Sequence, residues 1–182
     1  MKNQTNKTQN QQSYDYIFEE DVIEANKKVY NENAKTYDEI VITKDSNKRL
    51  KKVIENVLSV LKKNKKISNE FLALDACGGT GNASFIINNL GYNVQLVDLS
   101  FAMIDNFNNY CKKNGINIKS YNVEINKYLE NCDTKYDLVV FSSALHHLRY
   151  PEKVLFNAAR NLKPGGIILS IADPTTNIQK PV

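Results

Sequence analysis

The chain has 182 residues, 42% of them hydrophobic and 24% charged, with a formal net charge of +4; this is the make-up of a soluble globular domain, not of a fibrous or fully disordered chain. No apolar run approaches the ~20 residues of a membrane-spanning helix, and the polar start MKNQTNKTQNQQS has no apolar export signal, so a cytoplasmic location is expected. Three cysteines, Cys77, Cys111 and Cys132, stand far apart without a CxxC pair, which argues against a disulfide framework and against a zinc site.

Residues 1–13 are rich in Asn, Gln, Lys and Thr and have almost nothing to bury, so a disordered tail is expected there. From Tyr14 to Ile42 the apolar positions Ile17, Phe18, Val22, Ile23, Val29, Tyr30, Ala34 and Tyr37 recur at spacings that suit short amphipathic helices. Ser46 or Asn47 then suits the N-cap of a helix running to about Lys63, whose Leu50, Val53, Ile54, Val57, Leu58 and Leu61 follow the i, i+3, i+4, i+7 rule. Together these segments form an N-terminal helical cap over residues 14–65. The lysines of this second helix supply most of the net charge. They alternate with apolar positions and lack interleaved aromatics, which reads as a solvated face and not as a nucleic-acid patch.

Beyond residue 66 the pattern turns to short apolar runs separated by amphipathic segments. Phe71–Leu74, Val94–Val97, Ile116–Val123, Leu138–Phe141 and Ile167–Ile171 read as strands. Ala83–Leu90, Phe101–Asn114 and Pro151–Leu162 read as helices, with Pro151 suited to a first turn. The segment 124–136 is a looser, partly helical connection, and the PGG at 164–166 reads as a turn before the fifth strand. Such alternation implies right-handed βαβ units and a parallel sheet covered on both faces. Residues 66–182 are therefore expected to form a doubly wound α/β core with its ligand at the carboxyl ends of the strands. No internal repeat is present.

The stretch LDACGGTGNAS, residues 74–84, joins the first strand to a helix through three glycines, a geometry that brings a ligand close to the backbone and to free N–H groups. Three ligand classes use it: P-loop nucleotides, dinucleotides and S-adenosylmethionine. Asn82 follows Gly81 where a P-loop needs Lys, which removes the first class. Ser84 stands where the dinucleotide fingerprint wants Gly or Ala for close helix packing, which weakens the second. Asp98 at the end of the second strand is placed to accept from a ribose diol, which fits both dinucleotide and S-adenosylmethionine; Ser100 is the better N-cap for the helix that follows.

YNENAKTYD at 30–38, LDACGGTG at 74–81, VDLS at 97–100, YDLVVFSSALHHL at 136–148 and LKPGGIILSIADP at 162–174, in this order and spacing, carry a family resemblance. From roughly Tyr30 to Pro174 the chain resembles the class I S-adenosylmethionine-dependent methyltransferases, particularly the small-molecule branch of the ubiquinone and menaquinone type. The resemblance implies a Rossmann-like, mainly parallel sheet of order 3-2-1-4-5, S-adenosylmethionine as cofactor, and transfer of a methyl group to a small-molecule acceptor by in-line displacement. It implies that Asp75 and the backbone of Gly78, Gly79 and Gly81 surround the methionine part, and that Asp98, with Leu99 beside it, takes the ribose hydroxyls. Met103 would pack near the adenine. Glu124 stands where the family often has an Asp that accepts from the adenine amino group, with Ile125 against the ring; the Glu is a departure. Ser142 falls on the floor of the pocket, and Tyr30 and Tyr37 match aromatic positions that close over the cofactor or simply pack helices.

A methyl group on a sulfonium is already electrophilic, so few dedicated catalytic residues are needed, and a base matters only where the acceptor must lose a proton. His146 and His147 are the only histidines, lie after the fourth strand and are the candidate bases; alternatively one of them braces the loop. No metal and no nucleic-acid partner are expected. The resemblance also implies two further strands that this sequence does not contain, so the chain is either a fragment or has its fifth-strand edge covered by a second copy or a partner subunit. A non-catalytic S-adenosylmethionine-binding module is the alternative to an enzyme, and an NAD-dependent oxidoreductase is a third reading.

Overall fold

The computed structural model describes residues 18–37, 44–63 and 70–174. The expected tail over residues 1–13 lies outside the described residues. Helices α1 (Glu19–Asn33) and α2 (Lys44–Lys63) lead into an alternating run: β1 (Leu72–Ala76), α3 (Asn82–Asn89), β2 (Asn93–Asp98), α4 (Phe101–Asn114), β3 (Lys119–Asn122), α5 (Ile125–Glu130), β4 (Tyr136–Ser142), α6 (Pro151–Arg160) and β5 (Leu162–Ile171). The five strands form one sheet in the order β3-β2-β1-β4-β5, parallel at every pairing. The strand order reverses direction between β1 and β4, which opens a crevice above their carboxyl ends.

Alternation along the strands sorts the core into two layers. Phe71, Ala73, Leu96, Leu138 and Val140 face one side and pack with Ile54, Leu58 and Leu61 of α2, Ile87 of α3 and Phe107 of α4. Leu74, Ala76, Val97, Val139 and Phe141 face the other and pack with Ile125 and Leu129 of α5 and Val154 and Ala158 of α6. Helix α2 thus belongs to a core layer. Helix α1 has no buried residue of its own within its span and lies over the carboxyl ends instead.

Several boundaries differ from the sequence expectation for identifiable reasons. Of the span 14–42 the described residues hold α1 and, after a turn at 34–36, a helical Tyr37; the rest lies outside the described residues. Helix α2 begins at Lys44, ahead of Ser46 and Asn47, so neither residue is its N-cap. Strand β3 starts at Lys119 and not at Ile116, because Gly115 ends α4 in the left-handed region and the Ile116 amide turns back to Cys111 O. The PGG at 164–166 lies inside β5, where the register passes from Tyr136↔Leu162 to Leu138↔Ile167 and leaves the intervening residues bulged. Asp137 secures that end of the sheet, accepting from the Leu72 amide and from Lys163 Nζ, each at 2.8 Å. No helix among the described residues is long and apolar enough to cross a membrane.

Candidate active site

The floor is built by the loop from β1 to α3. Cys77 (φ 58°), Gly79 (φ 55°) and Gly81 (φ 90°) all adopt left-handed backbone. The two glycines have different reasons to be glycine. A Cβ on Gly81 would sit 2.3 Å from the Phe107 ring, so this residue lets α3 and α4 pack. A Cβ on Gly79 would meet nothing nearer than the Tyr37 ring at 4.0 Å and would project into the space above the loop. Cys77 has a side chain where the backbone prefers none, and burial followed by the nearby Asp98 carboxylate pushes its thiol well above the usual range.

Asp75 and Asp98 hold this loop from both sides. Asp75 is buried and its Oδ2 accepts from the amide and hydroxyl of Ser84, at 2.9 and 2.8 Å. Burial pushes its carboxyl up to about 6, against the pull of those two hydrogen bonds. These bonds also explain Ser84 where the dinucleotide fingerprint wants a smaller residue: its hydroxyl ties α3 to β1. Asp98 Oδ2 accepts from the Gly79 amide and Oδ1 from the Ser100 amide, both at 2.8 Å, so each oxygen keeps a lone pair. Its carboxyl is raised by burial and lowered by the same two amides. Ser100 N-caps α4 through Met103 N, as its position in the sequence suggests.

The opposite wall comes from β3, β4 and the turns that follow. Glu124 N-caps α5 with both oxygens, Oε1 accepting from Asn126 N and Oε2 from Lys127 N, at 2.8 Å each. After β4 the chain makes a short 3₁₀ turn, Leu145–His147, with the two imidazoles 3.9 Å apart. His146 Nδ1 lies 2.8 Å from Asp173 Oδ1, and Asp173 also accepts from Ser170 Oγ at 2.6 Å. Burial raises the Asp173 carboxyl, but its bonds from His146 and Ser170 outweigh this and hold it below the usual range. His147 Nε2 lies 2.7 Å from the Tyr30 hydroxyl, and burial, then the neighbouring His146, pull its pKa down.

Helix α1 forms the roof through polar contacts. Asn26 Nδ2 donates to His147 O at 2.8 Å, Asn31 Oδ1 accepts from Ser100 Oγ at 2.7 Å, and Ala34 O accepts from Asn106 Nδ2 at 2.8 Å. Tyr30 meets Tyr37 edge to face at 5.9 Å between centroids, and burial followed by Tyr37 pushes its hydroxyl well above the usual phenol range. Beneath α1 lies a cavity of about 710 Å³. Of the residues singled out in the sequence, Tyr30, Tyr37, Asp75, Gly78, Gly79, Asp98, Leu99, Glu124, Ile125, Ser142 and His147 line it. Gly81, Met103 and His146 do not: Gly81 faces Phe107, Met103 is 1% exposed in the core, and His146 turns to Asp173.

Sequence reasoning missed Cys77, Asn31 and Asp173. Asp173 had a usable signal, an acid just past the end of a strand, as at Asp98. Cys77 had none, since only the fold shows its positive φ. Among the described residues no cluster of His, Cys, Asp and Glu is arranged to hold a metal ion. The cavity does fit a ribose-bearing, zwitterionic cofactor. The Gly79 backbone faces open space with only the Tyr37 ring at 4.0 Å from where a Cβ would stand, and Asp98 offers acceptor capacity beside it.

A family model described as a methyltransferase domain matches residues 73–166, from β1 to the bulge in β5. The tRNA 5-carboxymethoxyuridine methyltransferase of Escherichia coli (strain K12) is 30% identical over 97 residues, 52% of this chain and 37% of that protein. The chain thus spans well under half the length of this curated relative. Among solved structures, the PH0226 protein from Pyrococcus horikoshii superposes with a TM-score of 0.56 at 28% identity, over 74% of this chain and 57% of that one. An S-adenosylmethionine-dependent methyltransferase from Clostridium acetobutylicum gives 0.55 at 20% identity, over 77% and 56%, a likeness of fold.

Proposed function

The chain belongs to the methyltransferase-domain family, and from that premise we propose that it transfers a methyl group from S-adenosylmethionine to a small-molecule acceptor bound beneath α1. The observation that carries this reading is Asp98 at the tip of β2, pinned by the Gly79 and Ser100 amides beside a loop whose backbone forms the cavity wall. A carboxylate with one free lone pair on each oxygen suits a vicinal diol, which donates two hydrogen bonds. Leu99, Val123 and Ile125 supply apolar surface for a flat ring, and the side-chain-free backbone at Gly79 suits close approach of the amino-acid end.

When bound, S-adenosylmethionine supplies a methyl group already activated by its sulfonium. The protein's own work is alignment and exclusion of water. Tyr30 and Tyr37 cover the loop from α1 and the segment that follows it. Where the acceptor must lose a proton, His147 Nε2 is the base placed to receive it, directly or through the Tyr30 hydroxyl 2.7 Å away, which passes its own proton to His147 as it takes up the acceptor's; burial and His146 favour the neutral imidazole. His146, held by Asp173, braces the turn that carries His147.

A second reading, an acceptor carried by RNA, is favoured by one feature. Helix α2 holds more net positive charge than the +4 of the whole chain, and its Arg49 reaches the cavity rim. The Escherichia coli relative is named for a tRNA nucleoside, in keeping with that reading. Calorimetric titration with S-adenosylhomocysteine, and separately with NAD, tests the cofactor; heat with NAD alone overturns the proposal. Release of S-adenosylhomocysteine with small acceptors or with bulk tRNA then separates the two acceptor readings, and release with neither leaves a binding module.

A further inference from the structure

The charges around the cavity are unevenly satisfied. Every acid that lines it already has partners within the chain. Asp75 has Ser84, Asp98 has two amides, Glu124 has the first turn of α5, and Glu19 has Lys153 at 4.0 Å. The cations are left over. Lys27 has only a 3.4 Å pair with Glu24 on the exposed side of α1, and neither Arg49 nor Arg149 has a hydrogen bond or ion pair among the described residues.

The two arginines belong to different rims. Arg49 is on α2, which packs against α3 and so borders the glycine loop. Arg149 follows the 3₁₀ turn, two residues after the His147 that touches Tyr30, and its guanidinium lies 5.4 Å from the centre of the Tyr150 ring. That contact orients the fork without using its N–H donors. Arg149 is exposed on the cavity rim, and no acid among the described residues takes its guanidinium donors, so that part of the rim is open to an anionic group of a ligand. The carboxylate of the cofactor accounts for one negative charge on the glycine-loop side, and a second cation remains on the other.

We propose that Arg149 is a specificity determinant that holds an acidic group, carboxylate or phosphate, of the methyl acceptor. This rests on the methyltransferase reading above, and the two fail separately. The test is calorimetry on protein saturated with S-adenosylhomocysteine, titrated with benzoate, phenyl phosphate and, as the neutral counterpart, benzamide. At least one acid is expected to bind about tenfold or more tighter than benzamide, as a charge-assisted hydrogen bond warrants. Arg149→Gln removes that preference, Arg149→Lys keeps part of it, and neither changes the affinity for S-adenosylhomocysteine. Whichever acid binds more tightly identifies the group recognised. Equal binding of acid and amide, no binding by any of the three, or an acid preference that survives Arg149→Gln overturns the proposal. Failure of the wild-type protein to bind S-adenosylhomocysteine at all overturns instead the reading on which it rests.

Discussion

The floor and the roof of the cavity are made by different means. The floor is the β1–α3 and β2–α4 junctions, where Gly81 is pressed on Phe107, Asp75 is buried against Ser84 and Asp98 ties two loops together. The roof is α1, which buries no residue of its own and is fastened by side-chain hydrogen bonds to the 3₁₀ turn and to α4. Packing of this kind is stiff and intolerant of added atoms, whereas single hydrogen bonds exchange readily with water and contribute only about 0.5–1.5 kcal/mol each. A site built this way keeps its cofactor cradle preformed and leaves the covering helix the more easily displaced part.

The sharpest break in the contrast is at Gly81. Gly81→Ala places a methyl group inside the Phe107 contact at a φ of 90°, so a loss of about 3 kcal/mol or more is expected in urea denaturation. An unchanged midpoint would mean that α3 and α4 are less tightly packed than the geometry states. Next comes Asp98→Ala, which removes both the bridge between loops and the acceptor for a diol. Affinity for S-adenosylhomocysteine should fall on the order of 100-fold by calorimetry.

Asp75 gives the floor a pH signature. Its carboxyl is raised from the ordinary carboxylate value to about 6, so between about pH 4 and 6 the folded chain holds a proton that the unfolded chain has released. Stability from this group therefore falls as pH rises through that window, by on the order of 1–3 kcal/mol, and is level above it. Asp75→Asn keeps an acceptor for Ser84 and should flatten that slope relative to the wild type in denaturation at stepped pH. The smallest effect is expected at the roof. Tyr30→Phe removes the hydroxyl bound to His147 and should lower stability by about 1 kcal/mol or less, with turnover affected more than S-adenosylhomocysteine affinity. An equal loss in both would place the roof and the floor on the same footing.

Much of the floor is legible in the sequence because its signals are local. The alternation of short apolar runs with amphipathic segments predicts the five strands and most helices of the core, with α5 read only as a partly helical connection, and the glycine spacing with Asp98 predicts where the ligand crevice opens. Glu124 and Met103 show the limit of the same logic. Glu124 lines the cavity while each of its oxygens accepts from an amide of its own helix, and Met103 is buried in the core and does not line the cavity. Position on a strand end does not fix which way a flexible side chain turns.

What the sequence alone determines here is the doubly wound parallel sheet and the glycine loop at its first turn, because periodicity and backbone restrictions act over a few residues. Only the tertiary structure decides that Gly81 serves a helix contact while Gly79 serves the cavity, and that Ser84 braces Asp75. The same holds for the pairing of His146 with Asp173 and of His147 with Tyr30, and for the arginines left as the unsatisfied charges of the rim. Each of these depends on groups brought together from 9 to 117 positions apart in the chain, where hydrogen bonding and packing are settled by the fold and not by neighbouring residues.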